Sequence, residues 1–154
     1  MIRFLLLTSS FISLFGCTSS NQEETAHRSV LLKEQLLDCD RQFSKMSEEK
    51  GLRAAYLEYV DSNIVLLKPN SLPIASGYAI DFITQLNDRN QTMSWVPKSG
   101  FVSESGDLGY TYGLYSIKSR SSDSVHFGTY LSLWKRHSDS TWKLAVSTGN
   151  EGIE

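Results

Sequence analysis

ESGDLGYTYGLYSIKSR, Glu104 to Arg120, opens on the turn residues Ser105-Gly106-Asp107 and continues as a strand with large side chains on both faces. Tyr110, Tyr112 and Leu114 share one parity, and Thr111, Gly113, Tyr115 and Ile117 share the other. A strand this rich on both sides needs two covers, which the rest of the chain must supply.

Downstream, Val125 to Arg136 and Trp142 to Thr148 alternate in the same way, joined by the polar links 119–124 and 137–140. Upstream, Met93 to Val102 alternates as well. Short polar joins between successive strands predict an antiparallel meander.

Before it the periodicity changes. Leu32, Leu36, Cys39, Phe43 and Met46 recur at spacings of one helical face, which predicts a helix over Ser29 to Ser47. Leu52 to Val60 and Tyr78 to Asn87 read as two shorter helices. Ile64 to Leu67 reads as a buried strand stopped by Pro69, and Asn70 to Ser76 as a loop. Helices first and strands afterwards is the α+β order. The expected architecture is a cone-shaped barrel, with N-terminal helices packed on a strongly curved, mostly antiparallel sheet. The hollow of the cone is where a small ligand would sit.

The first 17 residues, MIRFLLLTSSFISLFGC, have the parts of an export signal: Arg3, an apolar run from Phe4 to Phe15, and the small Gly16. The run spans about 12 residues, where a bilayer-spanning helix needs about 20. Leu14-Phe15-Gly16-Cys17 resembles a bacterial lipobox, which implies lipid on the Cys17 sulfur and cleavage before it. Residues 1–16 are then a lipoprotein signal peptide, 17–28 the lipidated cysteine and a flexible tether, and 29–154 one domain. The tether is expected because Thr18 to Arg28 offers only Ala26 as an apolar residue. The address is the envelope of a bacterial cell, reached by export, with a membrane held through the lipid. Thr18 after the cysteine resembles the outer-membrane sorting pattern, so the periplasmic face of that membrane is expected if the source is Gram-negative.

A net charge of −2 and no basic stripe argue against nucleic acid as a partner. With Cys17 lipidated, Cys39 lacks an intrachain partner for a disulfide and reads as a small buried apolar residue. His27, His126 and His137 are scattered, so no metal site is expected, and nothing calls for a cofactor. Neither a Gly-x-Ser-x-Gly elbow nor a phosphate loop occurs.

Several segments together carry a likeness: LDCDRQF, AYLEYVDSNIVLLKP, SGYAIDFI, WVPKSGFVSESGDLGYTYGLYSI, GTYLSLWKR and TWKLAVSTGN. In this order they resemble the nuclear transport factor 2-like superfamily, nearest a branch of unknown function often exported in bacteria. The superfamily also holds steroid isomerases, polyketide cyclases and dehydratases. The resemblance implies the cone fold and a homodimer formed through the sheet. Isomerases of the superfamily place an acidic base near the end of the first strand, where this chain has Leu66-Leu67-Lys68-Pro69. Nearest-branch members often carry an acid in the last strand, where this chain has Ser147. Both departures argue against assigning an enzyme.

Asp40 is the one weak catalytic candidate: facing the hollow, it would lose solvation and become a plausible base. The ligand-binding candidates are Phe43, Tyr56, Trp95, Tyr112 and Tyr130, large rings that bury apolar area at small rotamer cost. Alternation alone leaves open which strand parity lines the hollow; Trp142, Leu144, Val146 and Thr148 form one possible inner set. Three readings stand. They are an envelope domain binding a small, partly apolar ligand; a dimeric scaffold using its sheet face; and a cofactor-free isomerase, dehydratase or hydrolase.

Overall fold

A computed structural model describes residues 18–152; the expected signal peptide and Cys17 lie outside the described residues. Helix α1 (Thr18–Lys50) is followed by α2 (Leu52–Tyr59), β1 (Val60–Leu67), the two-residue β2 (Ile74–Ala75) and α3 (Ser76–Thr84). Four long strands complete the chain: β3 (Gln91–Val102), β4 (Leu108–Ser119), β5 (Val125–Arg136) and β6 (Trp142–Glu151). The six-stranded sheet has the order β2-β1-β6-β5-β4-β3 and curls without closing. The meander β3 to β6 is antiparallel as expected, whereas β1 lies parallel to β6.

The expected tether is corrected on one point. Residues 18–28 continue α1 in helical conformation, although the described side chains from Glu23 to Arg28 are exposed. Their backbone hydrogen bonds close within the helix itself, so helix there needs no core to bury against. Arg28 also reaches across, its Nη2 donating to the Ser105 carbonyl at 3.3 Å.

Further along, α1 crosses the concave face of the sheet and buries Leu32, Leu36 and Phe43. Two of its hydroxyls stitch it to the edge strand β3. Ser44 Oγ donates to the Trp95 carbonyl at 2.8 Å and accepts from the Trp95 N–H at 2.7 Å, while Ser47 Oγ donates to the Met93 carbonyl at 2.7 Å. Both backbone groups on the open side of Trp95 are thereby satisfied by helix side chains where another strand would otherwise sit.

The register decides the faces. Thr111 and Tyr115 of β4, with Ser132 and Trp134 of β5, are buried inward. Tyr110, Tyr112 and Leu114 point out, joined on the convex face by Phe101, Phe127 and Leu131. In β6 the expected inner alternation holds for Trp142 and Leu144, then shifts at a bulge opposite Leu133 and Trp134. Beyond it Ser147 stands in register with Ser132, facing the hollow.

Candidate functional site

Below α1 the cone keeps an open cavity of about 200 Å³. Its deep walls are Phe43, Trp95, Tyr115 and Tyr130, and its sides include Leu66, Ile83 and Met93. Leu67, Lys68, Pro69 and Glu151 are its exposed lining residues and mark the mouth. Phe43 anchors the floor. Its ring centroid lies 4.6 Å from Trp95, 5.4 Å from Tyr56 and 5.9 Å from Trp134, each in edge-to-face geometry.

The rings hold their positions because polar atoms behind them are satisfied. Trp95 Nε1 donates to Asp40 Oδ1 at 2.7 Å, and the Tyr130 hydroxyl donates to Asp40 Oδ2 at 2.7 Å. Trp134 Nε1 donates to Thr111 Oγ1 at 2.9 Å. Asp40 is 0% exposed, so burial pushes its pKa above the ordinary carboxylate value, opposed by the hydrogen bonds from Tyr130 and Trp95. Tyr130 is raised in turn by its own burial and by the Asp40 carboxyl beside it.

Asp40 therefore belongs to the site in a different role from the one expected. It does not line the cavity; Trp95 and Tyr130 stand between it and the open volume. It is a positioning residue that fixes the two rings, whereas a general base would need to reach the bound molecule. Of the five aromatic candidates, Phe43, Tyr56, Trp95 and Tyr130 meet at the cavity. Tyr112 does not: it is 46% exposed on the convex face. The reason is register, since Tyr112 pairs with Leu131 while Tyr130 pairs with Gly113. Directly opposed residues share a face, so Tyr112 and Tyr130 stand on opposite faces.

Sequence reasoning missed the serines. Ser132 and Ser147 form a directly opposed pair on the inner face, and both line the cavity. Ser147 Oγ and the Tyr56 hydroxyl are hydrogen-bonded at 2.9 Å, and burial raises the pKa of Tyr56. The available signal was glycine on the inner parity. A Cβ on Gly113 would come within 2.9 Å of Tyr130 Cε1, and one on Gly128 would overlap the Tyr115 ring. Each glycine marks where a neighbouring ring lies flat across the sheet.

A second groove, between α1, α2 and the start of β6, is lined by Gln35, Cys39, Tyr59 and Trp142 among others. Cys39 is only partly buried, and its thiol is pushed up to about 12, chiefly by desolvation. It is therefore protonated near neutral pH and a poor nucleophile. Among the described residues no three His, Cys, Asp or Glu side chains converge as a metal site would require.

No known family's sequence profile matches the chain, and no curated protein matches it. Solved structures do. A ketosteroid isomerase-like protein from Erwinia carotovora superposes with a TM-score of 0.59 at 11% identity, over 77% of this chain and 95% of that one. A nuclear transport factor 2-like superfamily protein from Salmonella enterica gives 0.61 at 8% identity, over 81% and 94%. The hub of a CaMKII from S. rosetta gives 0.61 at 14% identity, over 78% and 96%. At such identities the likeness concerns architecture, and it covers nearly the full length of each relative. With its helices packed on a curled, unclosed, mostly antiparallel sheet, this chain has the nuclear transport factor 2-like fold.

Proposed function

We propose that this chain is a binding domain whose cone receives a small, partly apolar molecule, and that lipid on Cys17 holds it at the bacterial cell envelope. The observation behind the ligand reading is the cavity itself: an open volume walled by rings whose own polar atoms are satisfied from behind. An apolar cavity of about 150 Å³ is enough to hold benzene, so this one suits one or two rings. Its inner wall offers hydroxyls, and among the described residues its one lining carboxylate, Glu151, is at the mouth. The isomerase, dehydratase or hydrolase reading would need an acid or base reaching the inner volume, and Asp40 is screened from it. Calorimetric titration with naphthalene-class probes tests the reading. Wild-type protein should bind saturably, and Leu86→Trp, which fills the cavity from its lining, should abolish binding while the protein stays folded. Equal binding by both proteins would place the probe elsewhere and end the proposal.

The address rests on Leu14-Phe15-Gly16-Cys17. Cys17→Ser protein should lose its acyl lipid and leave the membrane fraction; retention of both would overturn the assignment.

A second reading, a homodimer or scaffold using the sheet, is favoured by one observation. The convex face exposes Val96, Phe101, Tyr110, Tyr112, Phe127 and Leu131, with Phe101 and Tyr110 stacked at 5.9 Å. A contiguous apolar patch on an otherwise polar surface marks an interaction site. The two readings use opposite faces of one sheet and are compatible.

A further inference from the structure

Resting on the binding reading above, we infer that the ligand carries an uncharged oxygen acceptor of the carbonyl class at its inner end, received by the hydroxyls of Ser132 and Ser147. Ser132 is 5% exposed and lines the cavity, yet its hydroxyl makes no hydrogen bond to any other described residue. A lining hydroxyl with no protein partner keeps its proton available to an acceptor bound in the cavity. Directly opposite stands Ser147, with Cβ atoms of such a pair about 5 Å apart. Within the Tyr56–Ser147 pair only one hydroxyl proton is used between the two oxygens, which leaves the other free to donate.

The inner wall therefore offers two protons: that of Ser132 and the spare one of the Tyr56–Ser147 pair. Two other lining hydroxyls are already committed: that of Tyr130 donates a hydrogen bond to Asp40 Oδ2, and that of Tyr115 donates to the Asn150 carbonyl. A carbonyl oxygen has two lone pairs and matches two converging donors. An ionised head group does not match, because among the described residues no lining cation faces the serines: Lys68 stands at the mouth, its Nζ 4.4 Å from the centre of the Phe82 ring. A carboxylate buried there would have only neutral donors and would sit near a second buried acid, Asp40. The body of the ligand is apolar, as the walls are, and any charge it bears lies at the mouth.

The test is a mutant cycle with two nearly isosteric probes, 2-acetylnaphthalene and 2-ethylnaphthalene, titrated into wild type, Ser132→Ala and Ser147→Ala. The preference for ketone over hydrocarbon should fall about fivefold in Ser132→Ala, and by a similar or smaller factor in Ser147→Ala. Ser132→Cys, which keeps the size but has only a weak donor, should also lower the preference, and it serves if the alanine variant folds poorly. Using the ratio removes the difference in probe desolvation, which is common to all proteins in the cycle. An unchanged ratio in the Ser132 variants overturns this inference alone, since both probes would still occupy the cavity. Failure of both probes to bind wild type overturns the binding reading and this inference with it.

Discussion

At the scale of single residues, Asp40 is the group on which the cavity depends most. Asp40→Ala would leave Trp95 Nε1 and the Tyr130 hydroxyl without acceptors in a dry environment, and should cost about 2–4 kcal/mol in urea unfolding. Asp40→Asn keeps one acceptor and lets the Tyr130 hydroxyl turn to accept, so the loss should be smaller. Its pH signature is distinct. An acid whose folded pKa is raised binds more protons folded than unfolded, so its contribution to stability falls as pH rises from about 4. Asp61 has the opposite sign. Its folded pKa is lowered, first by the Asn63 backbone N–H at 2.8 Å and then by His137 Nε2 at 2.7 Å. Its contribution is present above about pH 4 and is lost as pH falls below that value. Urea midpoints measured from pH 3 to 8 should therefore flatten on the neutral side in Asp40→Asn and on the acid side in Asp61→Asn. Asp40 was singled out in the sequence, but its role was not legible there. Whether a helical carboxylate meets the bound molecule or the rings around it depends on strands more than 50 residues away.

At the scale of elements, α1 holds the open flank of β3 through two hydroxyls. Ser44→Ala removes both bonds to the Trp95 backbone and should cost about 1–3 kcal/mol, with faster amide exchange along β3 as the specific readout. Truncation of the chain to begin at His27 should change unfolding free energy by no more than about 0.5 kcal/mol, because the described side chains before it are exposed. The four long strands and the three helices were legible in the sequence as periodicity, with most ends shifted by a few residues but α1 beginning at Thr18 where Ser29 was expected. The two-residue β2 was not, since Ile74-Ala75 pairs only because β1 lies beside it. Nor was the inner parity of β4, because Tyr110 and Tyr112 are as large as Tyr115. What settles it is pairing: the Trp95 to Tyr115 and Tyr130 to Gly113 matches put Trp95, Tyr115 and Tyr130 on one face.

At the scale of the whole molecule, one curled sheet presents two surfaces of different character. The concave one is filled by α1 down to the cavity, and the convex one shows rings to solvent. If two copies meet through the convex face, a charge at its centre should separate them. Leu131→Asp is then expected to shift sedimentation from dimer to monomer at micromolar protein while probe binding in the cone persists. A wild-type monomer at that concentration would leave the patch without this role. The parallel pairing of β1 with β6 has a consequence in time as well as in space. Leu66 and Ser147 are neighbours in the sheet and in the cavity wall, yet about 80 residues separate them along the chain. At ribosomal rates of about 5–20 residues per second, β1 waits several seconds or more for its partner. A polypeptide that cannot finish its central sheet until its last strand has been made stays threadable until then, a useful property for any protein that must pass through a narrow channel before it folds.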